Sequence, residues 1–168
     1  QMLLPALIAR YRPRATLHLS RHPMAVIASL LSADWSWSFA EVSLPPSLLP
    51  APLRDVPLLA PHQKITALWA VTEQAALATP GVIPMRYDDM VLNPEQSMAH
   101  LLATTGLTPR APVDFHRDSP VTSDGRQGLS AAQRLDSWRS RLSPEIQSES
   151  AELLRRLWPE AAARWALP

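Results

Sequence analysis

Leu17-His18-Leu19-Ser20-Arg21-His22-Pro23-Met24-Ala25-Val26-Ile27-Ala28-Ser29-Leu30-Leu31 is the stretch whose reading decides the fold. Leu17 and Leu19, after Ala15-Thr16, read as the end of a short buried strand, and Pro23 starts a helix. Proline suits a first helical position because its missing N–H would find no partner there. Between strand and helix lies a tight turn with a guanidinium at Arg21, and the helix carries a hydroxyl eight residues later at Ser29. Backbone donors at a helix N-terminus, a fork-shaped cation and a nearby hydroxyl make an anion site suited to a phosphate group. The expectation is a nucleotide-phosphate contact forming one half of a larger binding site.

Upstream, Met2 to Tyr11 has helical spacing in Leu3, Leu4, Leu7 and Ile8, and Arg12-Pro13-Arg14 turns the chain into the strand from about Ala15 to Ser20. The helix from Pro23 is expected to reach about Ser32. Residues 33–61 follow as a proline-rich loop with Trp35, Trp37 and Phe39, and its prolines at 45, 46, 50, 52, 57 and 61 exclude a regular helix or central strand. Loops of that length in compact domains are usually functional or mobile. Its tryptophans suit a lid over an acceptor and a core beneath the loop equally well.

A helix is expected from His62 to Ala78, with Ile65, Leu68, Trp69, Thr72, Ala76 and Leu77 on one face and Thr79-Pro80-Gly81 as its stop. Val82 to Tyr87 reads as a second strand in which Pro84 leaves one backbone position unpaired. Asp88-Asp89 suit a turn or an arginine partner better than acid–base chemistry. Asn93 before Pro94 predicts an N-cap, and Gly106 a C-terminal cap, for the next helix. Residues 107–128 are polar and irregular. Helices are expected over 130–141 and 143–158, the second opened by Ser143-Pro144-Glu145, with Trp138 and Trp158 as anchors to the core.

Strand–helix alternation predicts an α/β domain with a parallel sheet. Only two strands are legible, whereas parallel sheets need several neighbours and helices on both faces. The sheet is therefore expected to be incomplete, with an upstream segment or a partner chain completing it. The chain starts at Gln1 rather than methionine, which fits a trimmed or internal piece.

A chain of 168 residues suits one domain spanning 1–168 with a core of its own. A formal net charge of +1 gives no global attraction to nucleic acid or to an acidic membrane. Fifteen of the sixteen basic residues are arginine, with Lys64 the exception, a bias that a GC-rich genome explains as well as anion binding does. Cysteine is absent, which excludes disulfides and thiolate metal sites. No apolar run reaches the roughly 18 to 20 residues of a membrane helix, and no signal peptide is visible, so a cytoplasmic location is expected. His18 reads as core and His22 as an additional donor in the anion turn. His62, His100 and His116 are scattered without ligand spacing, so no metal site is expected.

Arg21-His22-Pro23 followed by Ser29 resembles the Arg-x-Pro-x5-Ser element of sulfotransferases that use 3′-phosphoadenosine 5′-phosphosulfate. Arg86-Tyr87-Asp88-Asp89-Met90, Asn93-Pro94-Glu95 and Thr105-Gly106-Leu107 are similar to that family's Tyr-Glu-Asp-Leu, Asn-Pro-Glu and Gly-Leu run. Thr122-Ser123, Arg126 and Arg134-x3-Trp138 resemble the C-terminal segment of its bacterial and tyrosylprotein-type branch. The likeness is collinear from about Ala9 to Leu142. It implies a P-loop-like three-layer fold, an activated-sulfate cofactor (with adenosine 3′,5′-bisphosphate as its product), and transfer of a sulfuryl group to a hydroxyl or amine acceptor. It also implies that Arg21 and Ser29 hold the 3′-phosphate, that Tyr87 lies beside the adenosine, and that Ser123 and Arg126 contact the cofactor's 3′ side. Tyr87 at a strand end equally suits closing the core, and Ser29 equally suits a bond back to its own helix.

The departures narrow that reading. The family's first phosphate element is a glycine-rich loop upstream of Arg-x-Pro, near its usual catalytic base. Here the four glycines are 81, 106, 125 and 128, and twenty residues precede Arg21. The chain then corresponds to the C-terminal part of a sulfotransferase, with no catalytic residue assigned. The alternatives are a non-catalytic nucleotide-binding or interaction domain derived from that fold, and a kinase-like P-loop relative without its Walker loop.

Overall fold

Strands β1 (Thr16–Ser20) and β2 (Val82–Arg86) run parallel, with Leu17 opposite Ile83, Leu19 opposite Met85 and Ser20 opposite Arg86. They belong to a computed structural model that describes residues 3–32, 60–109 and 129–167. Helix α1 (Leu4–Tyr11) precedes β1, and α2 (Pro23–Ser32) and α3 (Pro61–Leu77) lie between the strands. After β2 come α4 (Tyr87–Leu92), α5 (Pro94–Thr105), α6 (Ala131–Asp136), α7 (Trp138–Arg141), α8 (Pro144–Leu157) and α9 (Pro159–Trp165). The described residues thus form a mainly helical domain around a two-stranded parallel sheet.

Local chemistry sets most of the boundaries. Prolines 23, 61, 94, 144 and 159 each open a helix, where the lost N–H is not needed. Ser143 caps α8 by accepting from the Ile146 amide at 3.4 Å, and Glu145 adds charge favourable to the helix dipole. Gly106 closes α5 at φ +62°, a left-handed conformation that favours glycine, and its carbonyl accepts from Arg14 Nη2 at 2.8 Å.

Four expectations change. Asn93 precedes α5 as expected, but its side chain makes no capping bond. Asp88 and Asp89 lie in the first turn of α4, where carboxylates meet the positive end of the helix dipole, rather than in a loop. The helix expected over 130–141 is divided at Ser137, whose Oγ donates to the Arg134 carbonyl at 2.9 Å and so competes with helical continuation. A further helix, α9, follows Trp158.

The core is shared by α2, α3 and α8. Met24 and Ile27 of α2, Ile65, Trp69 and Ala70 of α3, and Leu154 of α8 are buried together, and Trp138 and Trp165 close one end. Burying such side chains is worth about 1.5–3 kcal/mol each.

His18 is buried as expected, but the strand expected to be buried throughout exposes its leucines. His18 and Ser20 are buried, while Leu17 and Leu19 are 46% and 50% exposed. Alternate strand residues face opposite sides of a sheet, so one face carries the polar pair and the other the leucines. The polar face wins the interior because α3 supplies a partner: Glu73 Oε2 accepts from Ser20 Oγ at 2.6 Å and lies 2.9 Å from His18 Nε2.

Candidate functional site

The parallel register decides where the two sequence motifs meet. With Ser20 opposite Arg86, the next residues, Arg21 and Tyr87, emerge together at the carboxyl ends of β1 and β2. In α/β sheets that edge is where ligands bind. The Arg21 guanidinium carbon lies 5.1 Å from the centroid of the Tyr87 ring, within cation–π range. Arg21 Nε is buried and has no hydrogen-bond acceptor among the described residues. A guanidinium carries five N–H donors and no acceptor, so such a side chain is ready for an oxyanion.

Asp88 stands next to this cation. Burial pushes its carboxyl pKa above the ordinary range, against the pull of Arg86 and Arg21. Its ion-pair distance to Arg86 Nη2 is 4.0 Å, so of the turn and arginine roles read from the sequence it takes up both, in the first turn of α4 and beside an arginine. Arg86 is also held with its guanidinium carbon 4.5 Å from the Trp165 ring centroid.

Ser29 lies two turns beyond His22 on α2, about 10 Å along the axis. It is half-buried. Its hydroxyl makes no bond back to its helix, whereas Ser32 Oγ does so to the Ala28 carbonyl at 2.7 Å. Among the expected site residues, Arg21 and Tyr87 are therefore in direct contact, and the Ser29 hydroxyl on the following helix makes no hydrogen bond to another described residue. Ser123 and Arg126 lie outside the described residues, as do Trp35 and Trp37.

His22 is not the additional anion donor that the sequence suggested. Its Nδ1 accepts the Met24 amide at 3.2 Å and its Nε2 donates to the Trp165 carbonyl at 3.0 Å. The ring is stacked on Trp138, with centroids 4.9 Å apart, and meets Trp165 edge-on at 5.9 Å. Burial is the main cause lowering its pKa to about 4, so the ring is neutral at physiological pH. The Ala25 amide donates to the His22 carbonyl at 3.0 Å. The expected cradle of free amides at the start of α2 is thus already engaged, and an anion here would be met by side chains.

Two positioning residues escaped sequence reasoning. Glu73 ties α3 to β1 through His18 and Ser20, the latter immediately before Arg21. Its position four residues after Trp69 and three before Ala76, on an otherwise apolar face, was the available signal. Trp165 links α9 to His22 and Arg86, and the Pro159-Glu160 helix start was its only sequence cue.

Among the described residues, no group of three or more metal-ligating side chains could hold an ion, and no helix is long and apolar enough to cross a membrane. Comparisons with protein-family models, curated proteins and solved structures give no match.

Proposed function

We propose that this domain binds the 3′-phosphate side of 3′-phosphoadenosine 5′-phosphosulfate and forms the C-terminal part of a sulfotransferase. The observation that carries the reading is the Arg21 guanidinium at the carboxyl edge of β1, packed on Tyr87, with a buried Nε that lacks an acceptor. Arg21 supplies the charge and fork geometry for a phosphate, and the Ser29 hydroxyl supplies a second donor. Tyr87 offers a ring edge or face to the adenosine. The bound cofactor would supply the sulfuryl group. This chain's residues grip the far side of the nucleotide, which fixes the donor in space and contributes positioning to catalysis.

Titration calorimetry with adenosine 3′,5′-bisphosphate tests the site. The wild-type domain binds, and Arg21→Ala weakens binding by tenfold or more, about 1.4 kcal/mol or above. Equal affinity in both proteins overturns the assignment. A non-catalytic nucleotide-binding domain is the second reading. Transfer of radiolabelled sulfate from the cofactor to any acceptor by the full-length protein excludes it.

A further inference from the structure

Arg21 and Arg86, at the carboxyl edge of the sheet, each keep a buried Nε without an acceptor among the described residues. Asp88, the residue after Tyr87, shares that edge from the first turn of α4. Its side chain is 17% exposed and lies 4.0 Å from Arg86 Nη2, close enough for an ion pair and too far for a hydrogen bond. Asp88 also feels the charge of Arg21. One shielded carboxylate thus stands in the field of two guanidinium groups and is hydrogen-bonded to neither.

A phosphate arriving at Arg21 meets this carboxylate. An ionised carboxylate offers only lone pairs, and so does a phosphate dianion. Two such groups cannot share a site without a proton between them, for the reason that paired carboxylates cannot. The charge balance makes the same demand. With Arg86 matched by Asp88, Arg21 offsets one of the phosphate's two charges, and one proton offsets the other. Asp89 on the same helix and Asp136 of α6 add negative field at Asp88, which strengthens that demand. The titratable residues of α5, which also packs on α4, are Glu95 and His100.

The proton has two sources. A phosphate monoester can bring it, because its second pKa is about 6. Asp88 can also take it from water, since burial already pushes its carboxyl pKa above the ordinary range. A sulfate ester is fully ionised in water and brings none, so it presents bare oxygens to a carboxylate. A site arranged to share a ligand's proton discriminates against the analogue that lacks it.

We infer that Asp88 makes the Arg21 site take its phosphate together with one proton, and so selects a phosphate monoester over a sulfate ester. The inference rests on the nucleotide reading above and deepens it. In a donor that carries both groups, Asp88 sends the phosphate end to Arg21 and turns the sulfate end away.

Titration calorimetry of the full chain tests it with adenosine 3′,5′-bisphosphate and adenosine 5′-phosphate 3′-sulfate, which differ only in the 3′ ester. Runs in buffers of different ionisation enthalpy count the protons taken up on binding. Wild type is expected to take up about one proton with the bisphosphate at pH 7.5, and its affinity should rise about tenfold from pH 8 to pH 7. It should bind the 3′-sulfate about tenfold more weakly or worse. Asp88→Asn removes the charge while keeping the shape. It should tighten the 3′-sulfate about tenfold and the bisphosphate only a few-fold, with the proton uptake lost and the pH profile flattened. The proton count is read on wild type, so it stands whether or not the variant folds. Bisphosphate binding without proton uptake, or a wild-type preference that persists in Asp88→Asn, overturns the inference. If the bisphosphate still depends on Arg21 in that case, the nucleotide reading survives. A wild type that does not bind the bisphosphate at all overturns both.

Discussion

On the inner face of the β1–β2 pair, His18 and Ser20 converge on Glu73 and are almost wholly shielded from solvent. On the outer face, Leu17 and Leu19 stand about half exposed, and α1 adds exposed Leu3, Leu7 and Tyr11 nearby in sequence. One strand therefore buries its polar side chains and presents its apolar ones. The inner side shows that a polar face can occupy the interior when each group has a partner, since an unsatisfied one would cost about 1–3 kcal/mol. Among the described residues, the outer side carries no second covering layer of the kind that parallel sheets ordinarily have.

Breaking the inner side should have the largest effect. Glu73→Ala removes the acceptor of the buried Ser20 hydroxyl and one bond of the buried His18 imidazole, and chemical denaturation should show a loss of about 2–4 kcal/mol. Glu73→Gln keeps an acceptor for Ser20 and should lose clearly less. If Glu73→Ala unfolds at the wild-type midpoint, the polar cluster does not hold α3 against β1.

The comparison sharpens one step further out, at His22. Its folded pKa of about 4 lies below the ordinary 6.5, so the unfolded chain takes up the proton first. Stability from this group is complete above pH 6.5 and is lost as the pH falls towards 4, by about 2 kcal/mol after allowing for partial exposure. His22→Gln should flatten that part of the pH–stability profile relative to wild type, and an unchanged slope would contradict the neutral, doubly bonded ring.

At the carboxyl edge, Asp88 competes with any anion for Arg21 and Arg86. Asp88→Asn should tighten adenosine 3′,5′-bisphosphate a few-fold in calorimetry, roughly 1 kcal/mol or less. Weaker binding would mean that Asp88 helps to form the site.

The outer face should respond least. Leu17→Ser and Leu19→Ser each leave a half-exposed side chain's neighbours in place and should change stability by no more than about 0.5 kcal/mol. A loss approaching that of a core truncation, about 2–5 kcal/mol, would mean that the leucines are covered in solution.

What was legible in the sequence was local. Pro23, Pro94 and Pro144 marked helix starts because their chemistry acts within one turn, and Gly106 marked an end for the same reason, whereas Pro61, read as the end of the loop, in fact opens α3. The two strands and their parallel sense followed from alternation with helices. Period two shows that Leu17 and Leu19 share a face, but not which face is interior; that was set by Glu73, more than fifty residues away. Likewise, the turn at Arg21-His22-Pro23 suggested an anion site, while the fate of its amides depended on how His22 is held by Trp138 and Trp165 from the far end of the chain. Contacts of that range have no signature in any short window.

The central claim is that Arg21 recognises a phosphate on the 3′ side of a nucleotide, and a thermodynamic cycle tests it most directly. Affinities for adenosine 3′,5′-bisphosphate and adenosine 5′-monophosphate are measured on wild type and on Arg21→Ala. Wild type is expected to prefer the bisphosphate by at least about tenfold, with Arg21→Ala abolishing most of that preference. A preference that survives intact in Arg21→Ala, or one that wild type never shows, contradicts the account.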